Sequence, residues 1–335
     1  MKGKIMEKRI RFRFSGPMLI GLLVALFFAV FAENFFSASN AVNIIRQGSV
    51  LALVAFAQTF VILIAGIDLS VGAIMGLTSC TASMLMVKGM ASPVPAVFVA
   101  LVIATLCGLI NGVVTNYVGL NPFVSTFGMW GMALGVALII TEERVIFGFP
   151  ETLRVLHDGE WFGIPIPLII VFIIWGILHF FLKRTAWGIA VYAIGGNEVS
   201  AGLSGIPVRL QKTLLYTFSG FMAGIAGIMF LARTNAAQAI DTIGFEFDSI
   251  CAVVLGGTSL MGGRGGVSQT MIGVAIIAIA RNGLNMLGVN LYLQLVFVGV
   301  ILIMAYIAES QKFQFKRVNN AILGRVGLKA GHKQT

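Results

Sequence analysis

Apolar stretches long enough to cross a bilayer follow one another along almost the whole chain, and no other feature restricts its folding so strongly. A membrane helix needs about 20 mostly apolar residues at ~1.5 Å rise each. Ten stretches fit that template: 17–32, 49–66, 70–87, 93–118, 122–141, 164–182, 213–232, 248–262, 267–287 and 291–308. Lipid offers backbone amides and carbonyls no hydrogen-bond partner, so each stretch must satisfy its own as a helix. The expectation is an all-α polytopic membrane protein of about ten transmembrane helices. Composition agrees, with 58% of the 335 residues hydrophobic and 11% charged, against about 25% charged in soluble domains. The 40 glycines suit helices whose backbones approach closely, as do the G-x-x-x-G pairs Gly72/Gly76, Gly108/Gly112, Gly131/Gly135 and Gly220/Gly224.

The net charge of +10 is distributed by topology and does not form a nucleic-acid patch. Basic residues gather in the first tail (Lys2 to Arg13), in the last tail (Lys312 to Lys333) and in the loop after the sixth span, at Lys183, Arg184, Arg209 and Lys212. With an even number of spans these share one side, which the positive-inside rule makes the cytoplasm. Acidic residues mark the opposite side, in 142–163 and in 233–247, where Asp241 and Glu246 lie; Arg281, near the outer end of the ninth span, is the exception. The organisation expected is a basic cytoplasmic tail at 1–16, a permease domain at 17–308 and a second basic tail at 309–335. The first span follows basic residues as a signal peptide would. However, Glu33-Asn34-Phe35-Phe36 offers no small-residue cleavage site, so 17–32 reads as a retained helix.

Chemistry-bearing side chains are sparse. Cys80, Cys107 and Cys251 sit singly in apolar stretches, and His157, His179 and His332 are scattered. Neither a metal site nor an acid–base or nucleophile constellation emerges, so no cofactor and no enzymatic activity are expected.

The loop at 183–212 is the outlier, far longer than the two to eight residues that usually join two helices. Within it, Asn197 can cap a helix, Gly205 can end it in the left-handed conformation, and Pro207 keeps it from resuming. The resulting helix, about 198–204, carries Val199 and Leu203 on one face among small residues. So short a helix is unstable alone in water, which predicts an element that docks into another protein. Two other stretches carry patterns. In "GIDLSVGAIMGL", 66–77, Asp68 or Ser70 caps the helix that follows, near a cytoplasmic end where Asp68 is solvated; as an intramembrane carboxylate Asp68 is otherwise an ion-coupling site. In "VLGGTSLMGGRGGV", 254–267, Gly263 and Arg264 stand where a phosphate loop needs lysine and hydroxyl, leaving a pliant backbone fit for a hinge.

With "YAIGGNEVSAGLSGIPV" at 192–208, these two motifs make the chain resemble, from about residue 15 to 310, the permease subunits of ABC sugar importers, ribose-type branch. The resemblance implies that the loop is a coupling helix seated in a separate ATPase. Gly195, Gly196, Asn197, Glu198, Ala201, Gly205 and Ile206 match the coupling motif; Gly202 replaces a more usual alanine. Gly66, Asp68, Ser70 and Gly72, with Gly256, Gly257, Gly262 and Gly263, match the other two signatures. It further implies an extracytoplasmic sugar-binding protein, a second permease copy, identical or sister, and a place in the bacterial inner membrane. The cargo implied is a monosaccharide such as a pentose or hexose.

A sugar pathway needs hydrogen-bonding and aromatic groups within the spans. Gln58, Thr59, Asn111, Asn121, Trp130, Asn282 and Asn285 are the candidates, with Asn116, Ser125, Thr126 and Gln294 beside them. Arg46, Arg144, Arg154 and Arg233 stand on the outer side as candidate contacts for the binding protein. The alternative function is a secondary transporter coupled to protons or sodium through Asp68, which leaves the long loop without a role.

Overall fold

A computed structural model of the chain describes residues 16–290, 292–301 and 303. The expected basic tails, from 1 to 15 and from 309 on, lie outside those residues, as does the end of the last span. The helices are α1 (Gly16–Phe31), α2 (Ala38–Leu63), α3 (Val71–Val87), α4 (Pro93–Val113) with a π-helical extension (Val114–Val118), and α5 (Pro122–Thr141). After α5 come a short α6 (Val155–Asp158) and a small hairpin, β1 (Glu160–Trp161) with β2 (Ile164–Pro165). Then follow α7 (Ile166–Arg184), α8 (Ala186–Gly196), α9 (Glu198–Leu203), α10 (Val208–Thr234), α11 (Phe245–Gly256), α12 (Val267–Met286) and α13 (Tyr292–Ile301). Local chemistry sets the starts. The Ser37 hydroxyl accepts the Asn40 amide at 3.2 Å to open α2, and Asn121 accepts that of Phe123 at 2.9 Å to open α5. Proline occupies the first turn of α4, α5 and α7, where its missing N–H costs nothing.

Among the described residues six helices are long and apolar enough to cross a membrane: α2, α4 with its extension, α5, α7, α10 and α12. Shorter apolar helices (α1, α3, α8 and α13) accompany them. The chain is an all-α multi-pass membrane protein. The bundle is built around α2 and α10, whose most apolar windows are 78% and 72% buried, against 28% for α5 and 22% for α7. The outer helices therefore turn most of their side chains away from the protein. Where α4 crosses α10, a side chain at Gly108 or Gly220 would meet the other helix's backbone, so only glycine permits that approach.

One expected span and one expected loop differ in the structure. Residues 248–262 do not form one helix: α11 starts earlier, at Phe245, and stops at Gly256, where Gly257 takes φ +103°. The following Gly-rich stretch is irregular up to α12. The loop 183–212 is itself mostly helical, since α8 occupies 186–196 before the chain breaks at Asn197.

Both α3 and α11 begin inside the bundle. Asp68, just before α3, bonds to Ser219, which lies about 16 Å along α10 from its start. Beyond α10 the chain turns back, and a 3-10 turn at Ala239–Thr242 packs on α3. Side chains at Gly72 and Gly76 would collide with Glu246 and with the Ala239 carbonyl. Glycine at both positions brings the N-terminal ends of two short helices together.

Candidate functional site

The α8–α9 corner is made by Asn197, which leaves helical geometry at φ −163°. Its side chain accepts the Ser200 amide at 2.9 Å. α9 ends as Gly205 takes φ +83° while the Ile206 amide bonds back to the Ala201 carbonyl at 3.2 Å. The caps and turn expected at 197–207 are all present, and the helix runs 198–203. Its faces differ sharply. Ala201 is buried and Ile206 half-buried, whereas Val199 is 73% and Leu203 86% exposed. Glu198 is steadied from α10 by Lys212, whose Nζ donates at 3.0 Å. The surface on offer to a partner is Val199, Leu203 and the Glu198 carboxylate, while Ala201 faces the body of the protein.

Beneath this corner the coupling loop and the Gly-rich stretch after α11 meet the end of α2, just ahead of the 66–77 motif. A Cβ on Gly195 would run into the Leu63 carbonyl at the end of α2 and lie 2.5 Å from the Gly263 nitrogen. That same Leu63 carbonyl accepts the Gly263 amide at 2.9 Å. Gly262 and Gly263 have φ of +81° and +70°, and each packs against α8 backbone. The Tyr192 hydroxyl donates to the Gly265 carbonyl at 2.8 Å, while Lys183 stands over its ring. A side chain at Gly256 would strike the Gln269 carbonyl, so the end of α11 is held against α12. Gly196 is exposed with open space around it. The end of α2, the end of α8 and the Gly-rich stretch, far apart in sequence, thus share one backbone contact, a few residues from α9.

Asp68 requires a correction: it is wholly buried, not solvated. Its Oδ1 accepts from the Ser70 amide at 2.9 Å and hydroxyl at 2.5 Å. Its Oδ2 accepts the Ser219 hydroxyl at 2.7 Å. Ser70 in turn accepts from Asn111 at 2.8 Å, and the Leu69 amide donates to Thr126 at 3.2 Å. Gln58, with its amide turned to satisfy both contacts, brackets the Asp68 backbone, donating to its carbonyl at 3.1 Å and accepting its N–H at 3.2 Å. Gly66 is the bend before this network; a side chain there would meet the Tyr216 hydroxyl. All the donors are neutral, and together they pin the break between α2 and α3.

The other pathway candidates scatter. Thr59 bonds across α2 and α12 to Thr270 at 2.6 Å, fully buried. Asn111 and Gln58 belong to the Asp68 network, and Asn121 is a helix cap. Asn285 accepts from Gln294 at 2.7 Å, and the buried Asn282 side-chain oxygen finds no partner among the described residues. Asn116 bonds to the Gly112 carbonyl at 2.8 Å and Ser125 to Thr115 at 2.7 Å. Trp130 is half-buried at the edge of α5. On the acidic loops, Arg46 reaches Glu160 at 3.5 Å, Arg144 Glu142 at 3.7 Å and Arg154 Asp158 at 3.0 Å, so three of the four arginines pair within the chain. Those loops join where Ile146 and Ala237 exchange backbone bonds, each at 3.0 Å. Burial holds the His157 imidazole below its ordinary pKa beside them.

Three features escaped the sequence reading. Ser219 and Tyr216 gave no signal, being ordinary residues on an apolar helix. Arg281, the exception to the charge pattern, donates to both oxygens of buried Asp248 at 2.6–2.7 Å. Glu246 is not a loop acid in water: it is 2% exposed, at the start of α11.

Comparison with known proteins gives a consistent set of likenesses. Residues 40–306 match the family described as "branched-chain amino acid transport system / permease component". The chain is 37% identical to the ribose import permease protein RbsC of Bacillus subtilis, covering 91% of this chain and 97% of that one. It is also 37% identical to the D-allose transport system permease protein AlsC of Escherichia coli, over 86% and 88% of the two chains. It is 31% identical to the fructose import permease protein FrcC of Rhizobium meliloti, over 90% and 87%. No solved structure matches it.

Proposed function

The chain belongs to the family of the branched-chain amino acid transport system permease component, and from that premise we propose that it is the membrane subunit of an ATP-driven importer of a monosaccharide. It is a non-catalytic translocation subunit: ATP is hydrolysed on a partner, and an extracytoplasmic binding protein delivers the sugar. Relatives named for ribose, allose and fructose import favour a sugar over the amino acid in the family's description. Two copies, or one copy with a sister permease, enclose the path in the bacterial inner membrane. Both termini lie in the cytoplasm with the basic α7–α10 end, and the acidic loops lie outside.

The observation that carries this reading is α9, a six-residue helix with Val199 and Leu203 in the open, next to the place where the coupling loop, the Gly-rich stretch and the end of α2 touch. Docked in a cleft of the ATPase, it transmits movement to the Leu63–Gly195–Gly263 contact, hence to the ends of α2, α8 and α11. A ligand or partner shifts a conformational equilibrium only through differential contact with the two states, and this junction is where such contact would act. The test is reconstitution in proteoliposomes with the ATPase and binding protein that co-purify, using labelled D-ribose, D-allose, D-fructose and L-leucine. Uptake of one of the sugars, dependent on ATP and insensitive to uncoupler, supports the reading. Uptake of leucine alone, or uptake driven by an ion gradient without ATP, defeats it.

A further inference from the structure

Between α7, α8 and α10 lies an apolar groove of about 300 Å³. Its walls come from Leu178 and Phe181 of α7, Val191 of α8, and Leu215 and Phe218 of α10, and Phe60 of α2 closes the floor. The Phe60 ring meets Phe218 edge-on at 5.2 Å and Phe181 at 6.0 Å, so the floor is packed by aromatic rings. Trp187 and Leu214 flank the open side, 43% and 42% exposed. Around it Ile177 and Phe180 of α7 and Leu210 of α10 are exposed as well, apolar surface that in a membrane protein turns to lipid. From Gln211 to Phe218 the groove runs about 10 Å along α10.

One group in this lining is out of keeping. Gln211 is 5% exposed, and its side-chain oxygen is buried with no hydrogen-bond partner among the described residues. An acceptor so placed is costly unless a donor reaches it. A bare hydrocarbon chain would fill the groove and leave that oxygen unmet, so the occupant must carry a donor at this end. The same end is polar and basic. Here α7 finishes on Lys183 and Arg184, both exposed. Lys183 lies over the Tyr192 ring at 5.4 Å, while Arg184 has no ion pair among the described residues. Trp187, three residues on, is the amphipathic ring expected at headgroup depth. An apolar slot, a buried acceptor at its mouth and an unpaired cation beside it together match a phospholipid that is anionic and bears a hydroxyl.

We propose that the groove holds one anionic phospholipid with a glycerol headgroup. An acyl chain lies along α10 toward Phe218, a headgroup hydroxyl donates to Gln211, and the phosphate faces Arg184. The lipid thereby braces the end of α7 against the start of α10, the two roots of the loop that carries α9. The protein, with the subunits that co-purify, is exchanged through detergent, and the retained phospholipid is extracted and measured by mass spectrometry. After delipidation, retention is measured again with added phosphatidylglycerol, with phosphatidylmethanol (anionic, without a hydroxyl) and with phosphatidylcholine (no net charge). About one phosphatidylglycerol per chain should be retained. Leu214→Trp, which fills the mouth, should lower retention about tenfold, whereas Leu210→Trp, exposed on the same helix outside the lining, should not. Arg184→Glu should lower it about fivefold or more, and Gln211→Leu should abolish the preference for phosphatidylglycerol over phosphatidylmethanol. Should Leu214→Trp fail to assemble, Arg184→Glu at its exposed site and the comparison of the three lipids decide. Wild-type protein that retains no phospholipid, phosphatidylcholine held as well as phosphatidylglycerol, or equal losses in Leu210→Trp and Leu214→Trp would overturn the site and leave only a general lipid shell. Retention is read without transport, so that result leaves the importer reading intact.

Discussion

Gly195 shows how much a single residue can hold. Its Cα hydrogen faces the Leu63 carbonyl and the Gly263 amide, and backbone atoms on both sides cannot rotate out of the way as a side chain would. Gly195→Ala should therefore destabilise the protein by about 1–3 kcal/mol through overpacking, read as a lower unfolding temperature in detergent, while Gly196→Ala, in open space, should change little. Asp68 makes a second residue-scale case. Three donors converge on its two oxygens, so Asp68→Ala leaves them unmatched in a buried site and should cost about 1–3 kcal/mol or more. Asp68→Asn keeps one acceptor oxygen and should lose less. If the role is structural, neither variant alters sensitivity to an uncoupler at matched protein level; a change in that sensitivity would favour ion coupling. At the Arg281–Asp248 pair, Arg281→Ala strands a buried charge and should cost about 3–5 kcal/mol, whereas the double change Asp248→Leu with Arg281→Met should recover most of it. Comparing the single and double variants by thermal unfolding checks this.

At the scale of elements, α9 is too short to persist by its own hydrogen bonds. The Asn197 cap, the Gly205 turn and the buried Ala201 hold it, and its apolar pair points outward. Leu203→Asp should leave the bundle's stability unchanged, because that side chain touches little. It should weaken retention of the ATPase during purification by about tenfold, or ~1.4 kcal/mol. Ala201→Trp should instead lower stability, since position 201 is filled from below. The caps of α9 were legible in the sequence because capping is local chemistry. Its division into an inward and an outward face was not, because it depends on how α8 and α10, the helices it packs against, are turned by the rest of the bundle. Nor were the starts of α3 and α11 inside the bundle, since an apolar stretch reads alike whether it crosses the bilayer or stops midway.

For the whole molecule, the two ends of the bundle carry opposite charge patterns, basic around α7–α10 and acidic around the β1–β2 hairpin. The expected arrangement is tested by placing single cysteines at Leu203 and at Phe162, both more than 80% exposed, and labelling intact cells with an impermeant maleimide. Position 162 should react from outside and position 203 only after the membrane is opened. The native cysteines give little background, Cys80 and Cys251 being buried and Cys107 half-buried. The reverse pattern would invert the orientation and remove the ATPase from reach of α9.

Membrane residence, helical architecture, charge asymmetry and the capped turn at 197–207 were determined by the sequence alone, because lipid solvation and capping depend on the composition and order of nearby residues. The tertiary structure alone decided which polar groups face each other: Asp68 with Ser219, Arg281 with Asp248, and Glu246 with the start of α3. Those pairings join residues from 33 to 174 positions apart. A buried carboxylate takes its character from whichever donors the fold brings to it, and that is a property of the packed bundle.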